Sequence, residues 1–205
     1  MHQLRWKQYC QAVGLTPARF RNLAYGDDKN PLAYAFGEMP ADMPKGRYFD
    51  IDAAVARIGL DLAPGIGQSE AMNIVRISGA AALNAIAWAD YTDAPIFFAV
   101  AEGEINGAKC FQVASGPFDS RFERLVVGVR NSKGEEGPTT RITFVNVTEV
   151  LRRVRANAAA ANLDLSDPFL PAPDSVAFAE LLSAGRKMDD ERLTAIRAEL
   201  SQVTA

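Results

Sequence analysis

Apolar positions recur at helical spacing from the start of the chain. Trp6, Cys10 and Val13 fall at i, i+4 and i+7, which predicts a helix over residues 4–13. Gly14 stops it. Thr16 is a good N-cap and Pro17 a good first helical residue, so a second helix starts there. Phe20, Leu23 and Ala24 form its apolar stripe, and Gly26 is placed to end it. Residues 27–46 contain Pro31, Gly37, Pro40, Pro44 and Gly46, which predicts an extended loop or wing. Asp50 is the expected cap of a third helix carrying Ile51, Ala54, Val55 and Ile58 and ending near Gly59. Ala63-Pro64-Gly65-Ile66-Gly67 reads as a linker.

The pattern then changes. Gln68 to Asp90 is alanine-rich and helical, with Met72, Val75, Leu83, Ile86 and Ala87 as its core positions and Gly79 as a break. Pro95 to Glu102 and Ala108 to Ala114 are β-prone, joined by an Asn106-Gly107 hairpin turn. Leu125 to Arg130 and Thr139 to Val147 read as a second strand pair across the polar loop Asn131 to Pro138. Thr148 is read as the cap of a helix reaching about Asn162. Asp167 to Pro173 is a stiff connector, and two helices, 174–184 and 189–203, close the chain. The last shows a short seam of Leu193, Ile196, Leu200 and Val203. The expected fold class is α+β. A winged helix-turn-helix head over 1–62 precedes a mixed helix and antiparallel-sheet body over 68–165 and a C-terminal helical extension over 174–205.

Composition narrows the chemistry. The 205 residues include one histidine, His2, and two cysteines, Cys10 and Cys110, far apart in sequence. A histidine-based triad or a histidine metal site has no material, so no cofactor and no metal are expected. Absence of a secretory pattern and of any long apolar run points to a cytoplasmic protein with two reduced thiols and no membrane contact. The net charge of −3 is unevenly spread. Residues 1–60 hold eight bases and six acids, whereas the remainder holds fourteen bases and nineteen acids. A basic head on an acidic body is the asymmetry of a DNA-binding head.

That head has helix, tight turn, helix, then a basic-aromatic segment. In such units the second helix enters the major groove while the first braces it. Arg19, Arg21, Asn22 and Tyr25 lie outside its apolar stripe. Arginine and asparagine make bidentate contacts with base edges, and tyrosine reaches phosphates. Lys45, Arg47 and Tyr48 fall where a wing touches the backbone.

Gly14-Leu15-Thr16-Pro17-Ala18-Arg19-Phe20-Arg21 resembles the turn and recognition helix of the MerR family. Gly46-Arg47-Tyr48-Phe49-Asp50-Ile51-Asp52-Ala53-Ala54-Val55 is similar to that family's wing-to-helix passage. The resemblance covers about the first sixty residues. It implies DNA contacts from Arg21 and Arg47, with Arg19 and Tyr48 beside them. No metal-binding cysteine pattern follows, so metal sensing is not implied.

Enzyme signals are thin, and no catalytic residue is named. Gly65-Ile66-Gly67 lacks the rest of a dinucleotide fingerprint. Glu102 and Glu104, two apart on a strand, form an acid–base pair only by position. Trp88 and Tyr91 read as packing at a helix end, with pocket lining as the alternative. The expectation is a transcriptional regulator that binds double-stranded DNA as a homodimer through Thr16, Arg19, Arg21, Asn22, Tyr25, Lys45, Arg47 and Tyr48, with an unknown effector or partner protein. The alternatives are a protein-interaction module, such as an anti-activator or assembly factor, and a small-molecule-binding domain in the strand-rich body.

Overall fold

The structure, a computed structural model, describes residues 2–25, 47–183 and 186. The fold is α+β. Short strand β1 (Gln3–Arg5) leads into α1 (Trp6–Val13), α2 (Pro17–Tyr25), β2 (Arg47–Phe49) and α3 (Asp50–Ile66). Helices α4 (Gln68–Ile77) and α5 (Gly79–Tyr91) follow. Next come β3 (Ile96–Ile105), β4 (Ala108–Pro117), α6 (Ser120–Val127), β5 (Val129–Arg130), β6 (Glu136–Gly137), β7 (Thr139–Asn146) and α7 (Val147–Ala160). Residues 176–183 are helical again.

The central sheet is antiparallel in the order β4-β3-β7. Strand β3 is buried on both faces, and its side chains alternate between two apolar clusters. Ile96, Phe98 and Val100 join the main core with α1, α3, α5 and α7, while Ala99, Ala101 and Ile105 meet Phe122 and Leu125 of α6. A strand covered on both sides reads as a continuous apolar run, as Ile96 to Ala101 does. Asn106 and Gly107, at φ of 52° and 77°, form the expected tight turn to β4.

Four expectations are corrected. The first helix starts at Trp6, because residues 3–5 pair with residues 47–49 as an antiparallel ribbon. Leu125 to Val127 belongs to α6, not to a strand. Phe122 and Leu125, three apart, are both buried against the sheet, and that tertiary contact overrides the β-prone run. Strand β7 pairs with β3, leaving only Val129 and Arg130 to pair with β6.

Residues 63–66 of the expected linker are helix, and only Gly67 separates α3 from α4. Ile58, Leu62 and Ile66, spaced by four, are buried and carry α3 through Pro64 to Gly67. The expected head at 1–62 is not followed by a break, because α3 runs on to Ile66. One core takes Leu4, Phe20 and Ile51 from the first sixty residues together with Phe98, Leu151 and Phe178.

Side-chain contacts tie α1 to α3 and α7. Gly14 (φ 79°) closes α1 in the left-handed conformation, with its N–H on the Gln11 carbonyl at 3.0 Å and the Leu15 N–H on that of Cys10 at 2.8 Å. The last carbonyls of α1 receive donors from afar: Asn157 Nδ2 reaches Ala12 O and Arg57 Nη1 reaches Val13 O, each at 3.3 Å. Asp61 of α3 then pairs with Arg57 at 2.6 Å and with Arg153 of α7 at 3.0 Å.

The connector from Asp167 to Pro173 is strapped down at its start as well. Asp90, its side chain 1% exposed, accepts from Arg155 Nη2 at 2.6 Å and from the Phe169 N–H at 2.8 Å. Burial pushes the Asp90 carboxyl above its ordinary value, against the pull of those two donors. Among the described residues no helix is long and apolar enough to cross a membrane.

Candidate nucleic-acid interface

Helix α2 is short, polar outside and held by aromatic rings inside. Thr16 caps it, accepting the Arg19 N–H on Oγ1 at 3.2 Å. Phe20 and Leu23 are its buried anchors. The Phe20 ring lies 5.8 Å from Tyr9 and 5.7 Å from Tyr48, edge-on to both, and 6.2 Å from Trp6. Tyr9 and Tyr48 stack at 4.4 Å. Four rings from α1, α2 and β2 thus fix which face of α2 points outward.

Off the Phe20–Leu23 stripe, Thr16, Pro17, Ala18, Arg19, Arg21 and Asn22 are all exposed. Arg21 Nε donates to the Pro17 carbonyl at 3.4 Å, which lays the side chain back along the helix. Residues 2–25 contain four cations, Arg5, Lys7, Arg19 and Arg21, and no carboxylate. Arg5 and Lys7, which the helix-turn-helix pattern does not single out, are also exposed. The alternation of β1 around buried Leu4 is the signal that turns Arg5 outward.

Among the described residues, the carboxylates that follow β2 do not offset this charge at the surface. Asp50 and Asp52 are only 3% and 5% exposed. Asp50 Oδ2 accepts the His2 N–H at 2.9 Å, and Asp52 Oδ2 accepts the Phe49 N–H at 2.8 Å. So the residue expected to cap α3 is already inside it, and Asp52 serves its N-terminus from the first turn. Arg57, by contrast, is a base of this region whose guanidinium is spent internally on Val13 O and Asp61.

The expected site residues separate into three sets. Thr16, Arg19, Arg21 and Asn22 share the exposed run of α2. Tyr48 does not join them. It sits opposite Leu4 in the β1–β2 register and is 2% exposed, so it is a core residue and not a phosphate contact. Of Tyr25 and Arg47 the backbone alone is described, Arg47 opposite Arg5. Lys45 lies outside the described residues, as do the rest of the expected wing and the seam from Leu193 to Val203.

Other groups singled out by sequence have structural partners. Glu102 bonds Arg141 at 2.6 Å and lies 3.5 Å from Lys109, which also bonds Glu70 at 2.9 Å. The Arg141 hydrogen bond holds the Glu102 carboxyl below its ordinary value, so it is set up as a carboxylate and not as a proton donor. The Tyr91 hydroxyl donates to Leu170 O at 3.3 Å. Burial pushes the Cys10 thiol up to about 11. No family model matches this chain, and neither a characterised protein nor a solved structure proves similar to it.

Proposed function

We propose that this chain binds double-stranded DNA through the outer face of α2 and acts as a homodimeric transcriptional regulator. One observation carries the reading: Arg19, Arg21 and Asn22 stand exposed on a helix whose opposite face is locked by four rings, in a stretch with four cations and no acid. Guanidinium and amide groups match the acceptor and donor patterns of guanine and adenine in the major groove. The Thr16 hydroxyl, which keeps its own hydrogen to donate, suits a phosphate. The sequence resemblance to the MerR head adds Arg47 and Lys45 as backbone contacts. Two heads on one dimer read two half-sites, which is how a short helix reaches useful specificity.

The test is a binding titration against duplexes selected from a random pool. Arg19→Ala together with Arg21→Ala is expected to abolish selective binding without lowering thermal stability, since both side chains are exposed. Affinity is expected to fall with salt, with a log–log slope of about 0.9 per phosphate contact. An unchanged affinity in the double variant overturns the reading. A second reading, a protein-interaction module, is favoured by the exposed rings of Phe118 and Phe144. Failure to be retained on heparin or random duplex at low salt selects it.

A further inference from the structure

A cavity of about 600 Å³ lies between α5, β4 and the C-terminal helical segment. That is within the range of about 300–1,000 Å³ common for small-ligand sites. Its walls explain an oddity in α5. From Gly79 to Ala89 the helix is alanine-rich, and apart from the indole of Trp88 its sole polar side chain is Asn84. A helix that packs on a sheet through alanines has no packing use for an amide.

Asn84 lines the cavity, and Ser115 of β4 lines it from the facing wall. Ser115 follows Phe111 and Val113 on the strand face that meets the helices, so it is the polar position in an apolar row. The two side chains are 3.5 Å apart, the outer limit of a hydrogen bond, which leaves both with donors and acceptors for a guest.

The remaining groups define that guest. Trp88, one turn beyond Asn84, contributes a ring that is 39% exposed. Val113 and Leu182 add apolar wall, and Arg186 is the single ionisable side chain among the described lining residues. A larger cavity of about 800 Å³ borders β5 and β6, but it has no aromatic wall and its Arg130 is paired with Glu136.

We propose that the α5–β4 cavity binds a small amphipathic carboxylate. Its apolar body lies against Trp88, Val113 and Leu182, its anionic group meets Arg186, and a polar substituent reaches Asn84 and Ser115. A guanidinium–carboxylate pair beside an aromatic plane is a strong, oriented contact. Such a guest would bridge α5 to the C-terminal segment and stabilise the fold by mass action. The site stands apart from the DNA reading and is tested without nucleic acid.

The experiment titrates the full chain with phenylacetate and hexanoate by calorimetry and thermal unfolding, with phenethylamine and hexylamine as charge-reversed controls. Saturable binding of at least one acid with a rise in Tm is expected, and the matching amine should bind about tenfold more weakly or worse. Arg186→Gln, at an exposed position, should leave the unliganded Tm unchanged and weaken the acid by a similar factor. Asn84→Leu, which removes the amide and keeps a side chain of similar size, should weaken it without unfolding the protein. No saturable binding of either acid at millimolar concentration overturns the proposal. So does equal binding of acid and amine, or an affinity unmoved by Arg186→Gln.

Discussion

Two groups of four aromatic rings use the same chemistry to different ends. Around Phe20, the rings of Trp6, Tyr9 and Tyr48 lie 5.7–6.2 Å away. Around Phe118, those of Phe97, Phe122 and Phe144 lie 5.3–6.0 Å away. Ring spacing alone therefore does not separate them, and each good pair contributes about 0.5–1.5 kcal/mol beyond its buried area. Burial does separate them. Tyr9, Phe20 and Tyr48 are at most 2% exposed, whereas Phe118 and Phe144 are 67% and 41% exposed. The first group closes because α1, α2 and β2 enclose it, and closure is what presents a polar face of α2. The second is covered on one side only, by the sheet and α6, and leaves apolar surface in water.

The comparison breaks most visibly at Tyr48. Tyr48→Ala removes a ring stacked at 4.4 Å on Tyr9 and edge-on to Phe20. A loss of about 3–5 kcal/mol in urea unfolding is expected for a fully buried aromatic. Were Tyr48 a phosphate contact on an open wing, the same change would lower DNA affinity and leave stability alone. That result would overturn its assignment to the core.

A smaller effect is expected at Gly14, where α1 is closed. Gly14→Ala forces a side chain into φ 79° and sets a Cβ 3.0 Å from Asn157 Nδ2. The left-handed conformation costs an L-residue about 1–2 kcal/mol. A double-mutant cycle with Asn157→Ala separates the two contributions. The cost should shrink when the amide is gone, because the backbone strain stays and the crowding does not. A fully additive cycle would show that Asn157 yields freely.

These residues also show what could be read in the sequence. The turn at Gly14 to Pro17, the hairpin at Asn106-Gly107 and the break before Gly79 rest on local backbone chemistry, and each stands where the pattern puts it. The strand β1, the continuity of α3 and the helix α6 depend on partners distant in sequence. Leu4 is in a strand only because Tyr48 lies opposite it, and Pro64 is in a helix because Leu62 and Ile66 are buried. Tyr48 lies in the core for the same reason. A basic-aromatic run reads as surface until the strand that covers it is known. The exposure of Thr16, Arg19, Arg21 and Asn22 is legible because they fall off the stripe of a short amphipathic helix. The cavity beside α5 was not, since it takes walls from three elements.

The open cluster offers the weaker stability effect. Phe118→Ala is expected to cost under about 1 kcal/mol, the range of surface changes, despite a stacked partner at 5.3 Å. Phe122→Ala, 1% exposed in the same cluster, should cost about 3–5 kcal/mol. Urea titrations of both variants decide it. Equal losses would mean that Phe118 is covered in solution, and the contrast between the two clusters would disappear.

The smallest perturbation uses the two thiols as reporters. Cys10 is 2% exposed in the main core that includes Tyr9, Phe20 and Tyr48, and burial lifts its pKa to about 11. At pH 8 that leaves about one thiolate in a thousand, against about one in four for an ordinary thiol. Cys110 lies half-buried against the α6 side of the sheet. Ellman's reagent at pH 8 should therefore modify Cys110 first and reach Cys10 only as the core opens. Two equal rates, or Cys10 reacting first, would sink the idea that the N-terminal cluster is the tighter one. The second rate then measures closure directly. Tyr48→Ala should accelerate Cys10 and leave Cys110 unchanged, because the ring that holds α2 in place belongs to the same core that buries the thiol.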